Sequence, residues 1–131
     1  MEKVYTTPLS QKLGLKPGTT WLLWREAEGF RSLLDPLPDG VAFTTELGEE
    51  VVGAVVFLAD RAALADFQRE MKDTFPSTIW FAWPKKTSPK ASDIEFDPVQ
   101  AFGLSLGLVD NKVCAIDADW SGLRFVPRKR T

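Results

Sequence analysis

From Val51 through Val52, Gly53, Ala54, Val55, Val56, Phe57 and Leu58 to Ala59, the chain carries no charge and no polar side chain. A strand with one wet face alternates apolar and polar residues. A continuous β-branched run does not, so it needs apolar cover on both faces. Helices on both sides of a mostly parallel sheet supply that cover, and the run predicts a central parallel strand.

The flanking sequence fits this frame. Thr7-Pro8 with Leu9, Leu13 and Gly14 predicts a short helical turn, with Thr7 as N-cap, Pro8 as first helical residue and Gly14 as C-cap. Lys16-Pro17-Gly18-Thr19 predicts a turn. The first strand spans 20–25, where Trp21, Leu22, Leu23 and Trp24 form a second continuous apolar run. A short helix is expected over 27–34, and the second strand over 41–45. The long run at 51–59 is the third strand. Asp60 then caps a helix whose stripe is Leu64, Phe67, Met71 and Phe75, stopped by Pro76. The fourth strand covers 78–83, and pairing should lapse at Pro84 for want of an N–H. A loop rich in Lys, Ser and Pro follows. Asp97-Pro98 opens the next helix as N-cap and first residue, with Val99, Phe102 and Leu106 as its stripe and Gly107 at its end. Strands at 111–116 and 123–126 flank a turn at 117–122 and must be antiparallel, because a parallel return needs a crossover. The whole of 1–131 reads as one α/β domain, a Rossmann-like three-layer sandwich with a mostly parallel six-stranded sheet and a C-terminal antiparallel hairpin.

Histidine is absent. That removes Ser-His and Cys-His nucleophile activation, and the one cysteine cannot replace imidazole in a zinc site. The sequence thus points to no catalytic residue. A net charge of −2 gives no general attraction to nucleic acid or anionic lipid. No apolar segment is long enough to span a bilayer, and Met1 to Ser10 lacks the apolar centre of a secretory signal. With a single cysteine, these features predict a cytoplasmic protein.

Two stretches carry a resemblance: Phe81-Ala82-Trp83-Pro84-Lys85-Lys86, and Gly107 to Asp117 continuing through Trp120 to Val126. With Thr7-Pro8-Leu9 and Leu15-Lys16-Pro17-Gly18, they resemble the bacterial domain of unknown function numbered 3052. That resemblance implies no particular activity. The element order, the Leu-Lys-Pro-Gly lead-in and the terminal hairpin are also similar to class I S-adenosylmethionine methyltransferases. This second resemblance implies that strand six inserts between strands four and five, giving the order 2-1-3-4-6-5. Those enzymes have a glycine-rich turn after strand one. Here the residues are Trp24-Arg25-Glu26-Ala27-Glu28-Gly29-Phe30, with one glycine. Side chains stand where backbone would approach a cofactor, and Glu26 and Glu28 would favour the helix start themselves. No cofactor is expected.

Ligands of such sheets sit beyond the carboxyl ends of the strands, here Trp24 to Glu28, Glu46, Asp60-Arg61 and Pro84 to Lys86. The candidate binding residues are Lys85, Lys86, Asp60, Trp83 and Glu46. The lysines, with Lys90, suit a phosphate or carboxylate, and Glu46 could mimic a ribose-holding acid. Trp80 and Trp83, three apart, point to opposite faces and read mainly as core. Asp110, Asp117 and Asp119 read as turn residues rather than a metal site, and Cys114 as a small buried hydrophobe. The basic end Arg128-Lys129-Arg130 reads as a solvated terminus, with nucleic acid not expected. The sequence reading is a non-catalytic binding module for a protein partner or small anionic ligand. Its alternatives are a divergent methyltransferase-like enzyme and a homo-oligomer joined through open sheet edges.

Overall fold

The computed structural model describes residues 8–70 and 76–128. The elements are α1 (Leu9–Leu13), β1 (Thr20–Trp24), a 3-10 helix (Arg31–Leu34), β2 (Ala42–Thr44), β3 (Val51–Phe57), α2 (Arg61–Glu70), β4 (Thr78–Pro84), α3 (Phe96–Ser105), β5 (Leu108–Ala115) and β6 (Trp120–Pro127). The six strands form one sheet in the order β2-β1-β3-β4-β6-β5. β2, β1, β3 and β4 are mutually parallel; β6 is antiparallel to β4, and β5 to β6. This is the order that the methyltransferase resemblance implies.

The uninterrupted apolar runs of β1, β3 and β4 are divided between two cores by simple alternation. Leu22, Trp24, Ala54, Val56, Ile79, Phe81 and Trp83 meet Ala63 and Phe67 of α2, and Val99 and Phe102 of α3. Trp21, Leu23, Val55, Phe57, Trp80 and Ala82 face the other way, under Leu13, Leu15, Phe30 and Leu34. Trp80 and Trp83 thus lie on opposite faces, and Cys114 is buried in the second core. Phe81 sits edge-on to Phe67, Phe102 and Phe125, with ring centroids 5.5, 5.5 and 5.6 Å away. These geometries suit the aromatic quadrupole and tie both helices to the sheet centre.

Several boundaries differ from the sequence reading. The helix expected over 27–34 is a turn followed by the 3-10 helix. Gly29 adopts φ +81°, and the Phe30 amide bonds the Ala27 carbonyl at 3.1 Å, which uses the chain for reversal. Glu26 therefore meets no helix start; its carboxylate takes Arg31 instead. Pro8 is the N-cap of α1, while Thr7 lies outside the described residues; Gly14 closes the helix at φ +89° as expected. α3 begins at Phe96 after Glu95, so Asp97 and Pro98 fall inside its first turn. Proline is tolerated there because first-turn amides have no helical acceptor. The stripe positions Met71 and Phe75, and Lys129 and Arg130 of the tail, lie outside the described residues.

Pairing does not lapse at Pro84. Pro84 stands opposite Trp120, and the Lys85 amide still donates to the Asp119 carbonyl at 2.8 Å. Amides alternate sides along a strand. The proline nitrogen therefore faces the β3 side, where the ladder has already ended at Phe57 and Ala82. The hairpin strands are longer than expected, with only 116–119 between them, because the Ile116 amide reaches the Trp120 carbonyl at 2.9 Å. The sheet edges are the short β2 and the longer β5. The latter has an irregular register between Asp110 and Lys112, a device that blunts edge pairing.

Gly53 in the middle of β3 has a packing reason. Its partner on β1 is Trp21, and a Cβ at Gly53 would lie 2.5 Å from the indole ring. Trp21 is held from its other end by a bond from Nε1 to the Thr19 hydroxyl at 3.2 Å. Gly53→Ala is expected to destabilise the protein by about 1–3 kcal/mol, the cost of overpacking, despite alanine's better strand entropy. Urea unfolding with an unchanged midpoint would refute this account of Gly53.

Candidate functional site

The carboxyl ends of the parallel strands are crowded with the chain's own side chains. After β1, Arg25 takes φ +51°, a conformation unusual for a residue with a side chain. Its guanidinium lies 4.2 Å from the centre of the Trp24 ring and 3.0 Å from the Asp66 carboxylate of α2. The Trp24 indole N–H donates to Glu70 at 3.0 Å. Next to this, Arg31 makes a two-pronged contact with Glu26, at 3.0 Å from Nε and 2.8 Å from Nη2, and lies over Phe43 of β2. The hydrogen bond to Glu26 raises the Arg31 pKa further. The space beyond β1 and β2 is thus bounded by ion pairs.

The end of β3 is closed differently. The first-turn amides of α2 are ready donors for an anion. Here Asp60 accepts from the Ala63 amide at 2.8 Å, and Asp93 accepts from the Arg61 amide at 2.9 Å. Asp93 belongs to the loop after β4. That loop also binds the Arg61 guanidinium through its own carbonyl at 3.0 Å, and anchors Ile94 in the core. Ser92 donates to the Ala59 carbonyl. Ser88 is buried and donates to Asp119 at 2.8 Å. The loop is therefore pinned at both ends across the strand tips.

A cleft of about 730 Å³ lies between the starts of α2 and α3, lined by Arg61, Lys86, Glu95, Phe96, Asp97 and Pro98 among others. Lys86 Nζ stands 2.7 Å from Glu95. The hydrogen bond, and then the charge, of Glu95 raise the Lys86 pKa, while Lys86 holds Glu95 below the usual carboxylate range. Arg61 acts on Glu95 in the same direction. The cleft presents both signs of charge beside an aromatic ring.

Of the residues singled out from sequence, Lys86 lines this cleft. Lys85 is beside it but is held through its backbone to Asp119. Asp60 is the N-cap of α2. Trp83 is buried, with its ring 5.9 Å from that of Phe96, and so supports the cleft wall from below. Glu46 is exposed beyond β2, three strand spacings from β4, or about 14 Å. The structure does not join it to the lysines. Sequence reasoning missed Asp93, Glu95 and Phe96, and named Arg61 only as a strand end. Phe96, an aromatic amid polar loop residues, was the available signal. Asp117 accepts from the Asp119 and Trp120 amides at 2.8 and 2.9 Å, so it builds the hairpin turn. No group of three or more metal-ligating side chains occurs among the described residues. No described helix is long and apolar enough to cross a membrane.

No family model matches the chain, and no curated protein matches it. Solved structures do. Magnesium protoporphyrin IX methyltransferase (ChlM) from Synechocystis PCC 6803 with bound SAM aligns with a TM-score of 0.60 at 12% identity, over 92% of this chain and 74% of that one. The same enzyme with bound SAH gives 0.61 at 11% identity, over 92% and 78%. The fold is a methyltransferase-like Rossmann fold. At this identity, the likeness concerns the fold alone.

Two outcomes follow from this geometry. Asp60→Ala leaves the Ala63 amide without its cap and is expected to cost about 1 kcal/mol in urea unfolding. The Lys86–Glu95 contact should persist across the neutral range. A lowered carboxylate loses its contribution as pH falls through its folded pKa, and a raised ammonium loses its own as pH rises through its folded pKa. Carbon-13 NMR titration should show the Glu95 pKa rising toward the ordinary value in Lys86→Ala; an unmoved titration would contradict the contact.

Proposed function

We propose that this chain is a non-catalytic binding module built on a methyltransferase frame, and that it takes a polypeptide segment of a protein partner along the cleft at Arg61, Lys86 and Phe96. One observation carries the reading: the α2 amides and strand tips that could grip a cofactor are engaged by Asp60, Asp93 and the pinned loop over 85–95. The cleft supports a protein segment over a free anion, because Glu95 already answers the charge of Lys86. A segment carrying both signs can exchange partners with Lys86, Arg61, Glu95 and Asp97, and can lay an apolar side chain against Phe96. Kinship with the bacterial 3052 domain belongs to the same proposal and rests on the wording of Gly107 to Asp117 and Trp120 to Val126.

The rival reading is a divergent S-adenosylmethionine-dependent enzyme, favoured by the fold likeness to a SAM-bound methyltransferase. Isothermal titration calorimetry separates the two. S-adenosylmethionine is expected to give no saturable heat below millimolar concentration. Micromolar binding that weakens in Arg25→Ala or Glu46→Ala would replace the module with the enzyme.

A further inference from the structure

The opposite end of the sheet holds a second cavity, of about 480 Å³, and its chemistry is unlike that of the cleft. It lies where β1, β3 and β4 begin and β6 ends. Leu13, Gly14, Trp21 and Val52 give it apolar walls; Lys16, Thr19, Ser77, Thr78 and Arg124 give it polar ones. Two cations line it, and no carboxylate does among the described residues. The Arg124 Nε–H is buried and has no acceptor among the described residues. None of the ion pairs among the described residues includes Arg124 or Lys16.

The surroundings sharpen this. Arg124 stands directly opposite Lys112 on β5, a like-charge pair that is unfavourable across strands. The α1 carbonyls, which could repel an anion, are occupied: Lys12 by the Lys112 ammonium at 3.2 Å, and Leu13 by the Trp80 indole at 2.9 Å. The Thr19 and Ser77 hydroxyls donate to backbone carbonyls of Lys16 and Val52. Arg124, Lys16 and Thr78 are left as donors to an occupant. The positive charges of Arg124 and Lys16 line the cavity together, and its apolar walls strengthen their pull on negative charge.

We propose that this cavity binds a phosphate group, with Arg124 as the forked donor and Lys16 as the second positive charge. The volume leaves room for a small organic group esterified to the phosphate, lying against Trp21. The site is separate from the proposed protein-binding cleft and does not depend on it.

Melting shifts and calorimetry with inorganic phosphate test the site, with sodium chloride at matched ionic strength as reference. Phosphate is expected to raise the melting temperature where chloride does not. Arg124→Gln should weaken phosphate binding at least tenfold, and the exposed Lys16→Gln severalfold, while Lys86→Ala leaves it unchanged. Glycerol 3-phosphate binding more tightly than phosphate identifies an ester as the occupant; equal or weaker binding identifies the free ion. Equal shifts with chloride, or phosphate binding that survives both Arg124→Gln and Lys16→Gln, would overturn the proposal.

Discussion

The need to cover β3 on both faces governs this molecule. Parallel neighbours β1 and β4 share that need, and their side chains alternate into two cores. Neither face can then be left to water, so one takes α2 and α3, and the other takes α1 and the 3-10 helix. The cover on the second face is thin, and large aromatics compensate. Trp80, Phe57 and Trp120 fill it, and the Trp80 indole finds its acceptor in α1. Gly53 is the counterpart of this crowding, since Trp21 occupies the space of its missing side chain.

The same frame can cradle a nucleotide when backbone lies bare at the strand tips. In this chain the tips are dressed. Arg25 leaves β1 in a left-handed conformation that a cation–π contact and the Asp66 carboxylate hold in place. Strain of that kind persists only where surrounding contacts determine it. The loop after β4 lays Asp93 on the start of α2 and so supplies an internal anion to the positive helix end. A fold shared with a methyltransferase does not by itself carry the methyltransferase's chemistry with it.

Much of the fold was legible because two-sided burial writes itself as continuous apolar runs. The strands at 20–24, 51–57 and 78–84 and the helix after Asp60 follow from that, with Asp60 capping as its position implied. The strand order came from resemblance, not from periodicity. The segment after β1 was misread as a helix because its conformation answers to partners far along the chain, Asp66 and Glu70, and to Gly29. The cleft was half legible. Lys86 stands at a strand end, as the topology requires, but its partner Glu95 lies in a loop whose path is set by Ser88, Ser92 and Asp93. No local pattern encodes such docking. Arg124 was invisible for a related reason: in sequence it is an ordinary polar position between Leu123 and Phe125.

The distribution of answered and unanswered charge distinguishes the two ends of the sheet. At the carboxyl ends, Arg25 meets Asp66, Arg31 meets Glu26, Lys86 meets Glu95, and Arg61 meets the loop that carries Asp93. At the opposite end, Arg124 and Lys16 share a cavity with no lining carboxylate among the described residues. The net charge of the chain is −2, so this local excess of positive charge is not a by-product of composition. Exposed cations can be left to water at little cost, but a guanidinium nitrogen shut away from water cannot. Placing it opposite Lys112 adds repulsion that core packing alone would not call for. An arrangement that is unfavourable on its own, and that an oxyanion would relieve, is what the proposed phosphate site rests on.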